Sequence, residues 1–273
     1  MYERVSIGKK RQMSCVKHTE REITMKLIAF YLPQFHEIPE NNDAWGNGFT
    51  EWVNVKKAKP LFLGHNQPRK PLQDRYYNLL YPGVMDWQMR LAKKAGIYGF
   101  CFYHYWFGDR MVLEKPAEML LKNQKIDFHY CFSWANEPWT KTWHGAGGNK
   151  EILIPQKYGG EEEWRNHYHY FRKFFMDERY IKEENCPVLL IYRLRNIPNF
   201  NDMLRCWNQW AREDGFGGIF LISMDMWREQ ASKSRLVNGT VDFEPGKTRA
   251  WMMQQTSLWK PKDSFSLLQN RFA

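Results

Sequence analysis

Residues 130–139 read Tyr-Cys-Phe-Ser-Trp-Ala-Asn-Glu-Pro-Trp, and their reading decides the fold. From Tyr130 to Trp134 the segment is uncharged and lacks the apolar–polar alternation of a half-exposed strand. Such a strand is buried on both faces, as in a parallel sheet covered by helices. Asn136 and Glu137 then put an amide and a carboxyl at the strand end, and Pro138 stops further regular structure. The pattern recurs. Leu27–Leu32 leads to Pro33, Gln34 and His36; Ile97–Tyr103 leads to His104; Gly218–Ser223 leads to Asp225. Pro187–Tyr192 is a further strand, and Val241–Phe243 a possible sixth. Helical spacing falls between them, at Val84–Ala95, Ala117–Lys122, Glu161–Met176 and Asn201–Arg212.

Strands alternating with helices, and chemistry gathered at strand ends, predict an α/β fold of the (β/α)8 TIM-barrel type. A doubly wound sheet is the alternative. It favours a glycine-rich turn after the first strand, where this chain has LPQFHEIPENN. Five or six strands fall short of eight, so the barrel is expected to be incomplete at the C-terminus. Residues 1–25 read as a tail without periodicity, and 26–273 as one barrel domain lacking its last strands.

The net charge of +10 raises an anionic partner, but seven Lys/Arg and three Glu in residues 1–26 supply much of it. The remaining cations are spread thinly, and no nucleic-acid role is expected. No apolar run approaches the roughly 20 residues of a spanning helix, and no signal-peptide core follows the basic start. The five cysteines are widely spaced without a CxxC pair. They read as reduced, buried thiols of a cytoplasmic protein, with no metal site and no cofactor.

The 13 Trp, 14 Tyr and 18 Phe are more informative. Aromatic faces stack on the C–H face of a pyranose while neighbouring polar groups hold its hydroxyls. The segment Phe30–Val55 is dense in such groups, among them Gln34, His36, Trp45, Glu51 and Trp52. It reads either as a binding loop or as a cover over the barrel. Tyr103 and His104 leave the second strand, with His104 open to a structural role as well. Trp134, Asn136 and Trp139 surround Glu137. A carboxyl between two indoles loses solvation of its charged form, so its pKa rises as general-acid work requires. Glu137 is therefore the candidate catalytic acid, with substrate binding as its other reading. Trp45, Trp134, Trp139, Glu137 and His36 are expected to line one pocket. The His-Tyr-His-Tyr run at 167–170 lies on a helix and reads as surface plus core.

Several stretches resemble the WbsX-like family, related to glycoside hydrolase family 99: AFYLPQFHEIPENNDAWGNGFTEWVNVKKAKPLFLGHNQPRKP, GFCFYHYWF, EKPAEMLL, CFSWANEPWTKTW and CPVLLIYR. The resemblance implies a (β/α)8 barrel that acts on polysaccharide or lipopolysaccharide O-antigen glycans, as glycosidase or glycosyltransferase. The related hydrolases are retaining endo-acting enzymes on α-mannosides, using the sugar's own 2-hydroxyl and no metal. Their two carboxylates lie in an NEWxEG motif, which this sequence lacks. Glu137 matches the earlier WANE motif, which implies substrate binding rather than proton transfer. A non-catalytic glycan-binding remnant is the further alternative.

Overall fold

The computed structural model describes residues 25–141, 151–224 and 234–242, with residues 248 and 252. In chain order the strands are β1 (Ile28–Tyr31), β2 (Gly99–Trp106), β3 (Met111–Val112), β4 (His129–Trp134), β5 (Trp139–Thr140), β6 (Ile152–Ile154), β7 (Lys182–Glu183), β8 (Cys186–Ile191), β9 (Phe220–Ser223) and β10 (Gly239–Thr240). The helices are α1 (Pro39–Trp45), α2 (Glu51–Lys57), α3 (Val84–Lys94), α4 (Lys115–Lys122), α5 (Glu161–Phe175) and α6 (Phe200–Glu213).

Six strands form one curled parallel sheet in the order β1-β2-β4-β8-β9-β10. This is the α/β architecture predicted from the apolar strands. Among the described residues the order runs from β1 to β10 without closing into an eight-stranded barrel. The sixth strand pairs at Gly239–Thr240 rather than 241–243, where Phe243 lies outside the described residues. Asp225 also lies outside them. Two short helices, α1 and α2, occupy the segment read as a loop after β1. Seven residues give too few turns for a hydrophobic period to register. Pro39 opens α1, where its missing N–H costs nothing.

Parallel register brings like-facing residues side by side. Phe102 meets Phe132, and His104 meets Trp134. This face packs on the helices: Phe132 against Phe171 and Phe174 of α5, Trp134 against Trp207 of α6. Helix α5 fits that role chemically. Its first turn carries Glu161, Glu162 and Glu163 and its last turn Arg172 and Lys173, opposing the helix dipole. In α6 the buried residues Met203, Leu204, Trp207, Trp210 and Ala211 follow helical spacing along one stripe. At Gly99 a Cβ would lie 2.7 Å from the His129 carbonyl oxygen, so the β2–β4 approach requires glycine.

The lower end is tied by a buried ion pair. Arg179 pairs with Asp177 and donates to the carbonyls of Leu120, Leu121, Asn123 and Ile126. It thereby satisfies the open C-terminal carbonyls of α4. Burial pushes the Asp177 carboxyl up, but hydrogen bonds from Arg179 and Tyr130 outweigh that and hold it below the usual range. Of the cysteines, Cys101 and Cys131 are buried, whereas Cys186 and Cys206 are only partly covered, and all four are free thiols. Cys15 lies outside the described residues.

Candidate functional site

Alternation along β2 divides its aromatic row. Tyr103 and Tyr105 face away from the helices, Tyr103 stacking on Phe30 of β1 at 5.6 Å. His104 and Trp106 face α5. The predicted role of His104 at the strand end is therefore corrected: its Nε2 lies 2.9 Å from Nε2 of His167, in a fully buried pair. Burial lowers His104 to about 3 and His167 well below its usual value, so both rings are neutral and one donates to the other. His167 is thus core, and within the His-Tyr-His-Tyr run only His169 is exposed.

Trp134 is corrected in the same way. It packs against His167, Tyr158 and Trp207, and its Nε1 donates to the Trp106 carbonyl at 3.1 Å. The enclosure of Glu137 between two indoles does not form. Glu137 is exposed and accepts a hydrogen bond from Arg193 Nε at 3.1 Å, while the Arg193 guanidinium lies 4.1 Å over the Tyr192 ring. The Asn136 amide is also committed. Its Nδ2 donates to the Arg193 carbonyl and its Oδ1 accepts from the Arg193 N–H, each at 2.8 Å. Asn136 clamps the turn after β4 to the turn after β8.

In the segment after β1 a different carboxyl stands out. Tyr105 accepts from Gln34 Nε2 at 2.9 Å and packs on the Trp139 ring at 5.1 Å. Burial pushes the Tyr105 phenol up, opposed by the Gln34 hydrogen bond, with smaller upward contributions from the charges of Tyr103 and Glu51. Glu51 opens α2. Burial raises its carboxyl to about 7, against the pull of its own backbone N–H, and Oε2 is buried without a hydrogen-bond partner. Trp45 ends α1, stacks on Phe49 at 5.0 Å and leaves a buried Nε1 without a partner. Tyr103 is pushed up to about 12 by burial first, then by Cys101 and Tyr192.

Two residues of the first segment turn inward. Trp52 donates to the Tyr77 carbonyl at 2.8 Å and packs on Phe35, Tyr76 and Tyr77. His36 is fully buried, lowered to about 4 by burial, then by Lys115, with the Pro33 carbonyl opposing. Neither of its ring nitrogens makes a hydrogen bond of normal geometry. The structure thus groups Gln34, Tyr105 and Trp139, and turns His104 and Trp134 toward the helices. Tyr105 and Arg193 were missed from the sequence. Period-two spacing from Tyr103 could have found Tyr105; nothing local marks Arg193. Among the described residues no group of three or more His, Cys, Asp or Glu is placed to hold a metal ion.

The family model for glycosyltransferase WbsX matches residues 27–271. The chain belongs to the WbsX glycosyltransferase family. Two curated relatives, both named uncharacterized protein WxcX, come from two strains of Xanthomonas campestris pv. campestris. Each is 37% identical over 219 residues, covering 80% of this chain and 31% of the relative. The chain therefore spans about a third of the length of these relatives. Among solved structures it is similar to a GH99 endo-alpha-mannosidase from Bacteroides thetaiotaomicron, at 15% identity and a TM-score of 0.48, covering 85% of this chain and 68% of that one. A glycoside hydrolase-like protein matches at 16% identity and a TM-score of 0.43, over 73% and 51% of the two chains. Likeness of that size speaks to neither chemistry nor substrate.

Proposed function

We propose that this WbsX-family chain binds and acts on a polysaccharide or O-antigen-type glycan at the strand-end face, with Glu51 rather than Glu137 as its acid–base group. The observation that carries the reading is the Glu51 carboxyl, buried with an unpartnered Oε2, in the segment after β1 whose Gln34 donates to Tyr105, itself packed on the Trp139 ring. A buried polar atom without a partner is costly unless a ligand satisfies it. A carboxyl titrating near 7 can both give and accept a proton at neutral pH. Trp139 and Tyr105 supply ring faces for a sugar. Glu137, held by Arg193, serves as an acceptor for hydroxyls at the cleft edge. Both hydrolysis and glycosyl transfer can use such a group.

A second reading, glycan binding without turnover, is favoured by the commitment of Glu137 to Arg193, which takes it out of a free carboxylate pair. A glycan array followed by turnover assays with wild type, Glu51→Gln and Glu137→Gln separates these. Glycan binding with turnover that falls at least about a hundredfold in Glu51→Gln supports the first reading. Binding without turnover supports the second. No glycan bound by the wild type refutes both.

A further inference from the structure

From the last turn of α2 the chain runs Lys56-Lys57-Ala58-Lys59-Pro60-Leu61-Phe62-Leu63-Gly64-His65, and returns toward α3 through Arg69, Lys70, Pro71 and Leu72. Its apolar side chains point into solvent. Leu63 is 103% exposed, Leu72 85%, Leu61 68% and Phe62 65%. Single exposed leucines are ordinary, but three consecutive large apolar residues at a loop tip mark an interaction site.

The tip is built rather than frayed. The Leu61 N–H donates to His65 Nδ1 at 3.1 Å, the His65 N–H to the Phe62 carbonyl at 3.1 Å, and the Gln67 N–H to the His65 carbonyl at 2.8 Å. The Phe62 and His65 rings stack at 4.5 Å. Gly64, at φ 81°, takes the left-handed conformation that turns the chain. Local bonds therefore hold the apolar tip outward. In sequence it is flanked by Lys56, Lys57, Lys59, Arg69, Lys70 and Arg75, all exposed, with Lys56 over the Tyr76 ring and Arg75 over the Trp87 ring, and Asp74 is the only acidic residue between 52 and 75.

We propose that this loop docks the protein peripherally on an anionic lipid surface. Leu61, Phe62 and Leu63 enter the boundary between headgroups and acyl chains, and the flanking lysines and arginines lie on the lipid phosphates. The shape and charge favour a bilayer over a protein. The apolar part is a projecting tip, fit to enter a deformable layer, and cations stand on both its chain-entry and chain-exit sides. Apolar insertion and basic charge are each weak alone and become effective together. Each cation at an anionic surface contributes roughly fivefold to partitioning. Among the described residues no helix is long and apolar enough to cross a membrane, so the association proposed is peripheral. It stands independently of the glycan reading.

The test is sedimentation of the full chain with sucrose-loaded vesicles, of phosphatidylcholine alone or with about 30 % phosphatidylglycerol. The expected result is binding to the anionic vesicles that weakens between about 0.1 M and about 0.5 M salt. The triple variant Leu61→Ser, Phe62→Ser, Leu63→Ser should bind at least about tenfold more weakly. So should Lys59→Glu, Arg69→Glu, Lys70→Glu, which keeps the test open if the first variant misfolds. Hydrogen exchange with vesicles should protect residues 60–72. No binding to anionic vesicles, or binding that both variants retain, overturns the proposal. Self-association that the serine variant abolishes, with no vesicle binding, also overturns it and identifies the tip as a protein contact.

Discussion

Acidification to pH 5.5 should destabilise this protein through the buried His104–His167 pair. In the fold His104 titrates at about 3 because burial penalises its charged form, against 6.5 for a free histidine. Its folded pKa is lowered, so the unfolded chain binds the proton more readily. The stabilisation is full above about pH 6.5 and is lost as pH falls toward 3. At pH 5.5 the loss from His104 alone is roughly 1.4 kcal/mol. His167, lowered well below its usual value by burial and by His104, adds to the loss in the same direction. The two rings are stacked among Trp106, Phe132, Phe171 and Trp207, and water has no access to a newly charged imidazolium. Urea unfolding at pH 7.5 and 5.5 reads the effect, as a midpoint lowered by at least ~0.5 M. The double variant His104→Leu, His167→Leu removes both partners and should reduce the pH dependence to what remains from other groups, chiefly buried His36, which burial also lowers, to about 4. Either single variant leaves a buried ring nitrogen unpaired and should cost about 1–3 kcal/mol at pH 7.5. An equal loss of stability on acidification in wild type and double variant would refute the assignment to this pair.

Three other outcomes are expected. Glu51→Gln should raise the melting temperature at pH 8 and leave it nearly unchanged at pH 5. The folded carboxyl, raised to about 7, costs stability as pH climbs above 4.5, and glutamine mimics its neutral form; a rise of equal size at both values would count against a buried carboxyl. Arg179→Leu should destabilise by about 3–5 kcal/mol, because Asp177 is left buried with its charge uncompensated and four carbonyls lose the guanidinium, the Ile126 carbonyl among them. Chemical denaturation measures this, and a change under about 1 kcal/mol would contradict the tie. Asn136→Ala should cost about 2–3 kcal/mol by unpairing the Arg193 backbone. Hydrogen exchange at the Arg193 amide should accelerate in this variant, and an unchanged rate would show that the clamp is dispensable.

The sequence by itself determined that the sheet is parallel. Strands such as PVLLIY and YCFSW are apolar on both faces, and only helices on one side with a second layer or a closed interior on the other bury both. It also determined the long helices, because α3, α5 and α6 run far enough for a 3.6-residue period to register. It led to the expectation of chemistry at strand ends. Tertiary structure decided which residues face the helices. Period two groups Tyr103 with Tyr105 and His104 with Trp106, but both pairs are aromatic, so hydrophobicity could not say which pair turns toward α5. The same indifference sent Trp134 to the helices. The acid was decided at still longer range. Glu137 looked enclosed because tryptophans flank it in sequence, yet the fold turns one of them away and brings Arg193, 56 positions later, to its carboxylate. Glu51 has no such local mark. Its raised pKa comes from burial at the start of the short helix α2, which seven helical residues cannot announce.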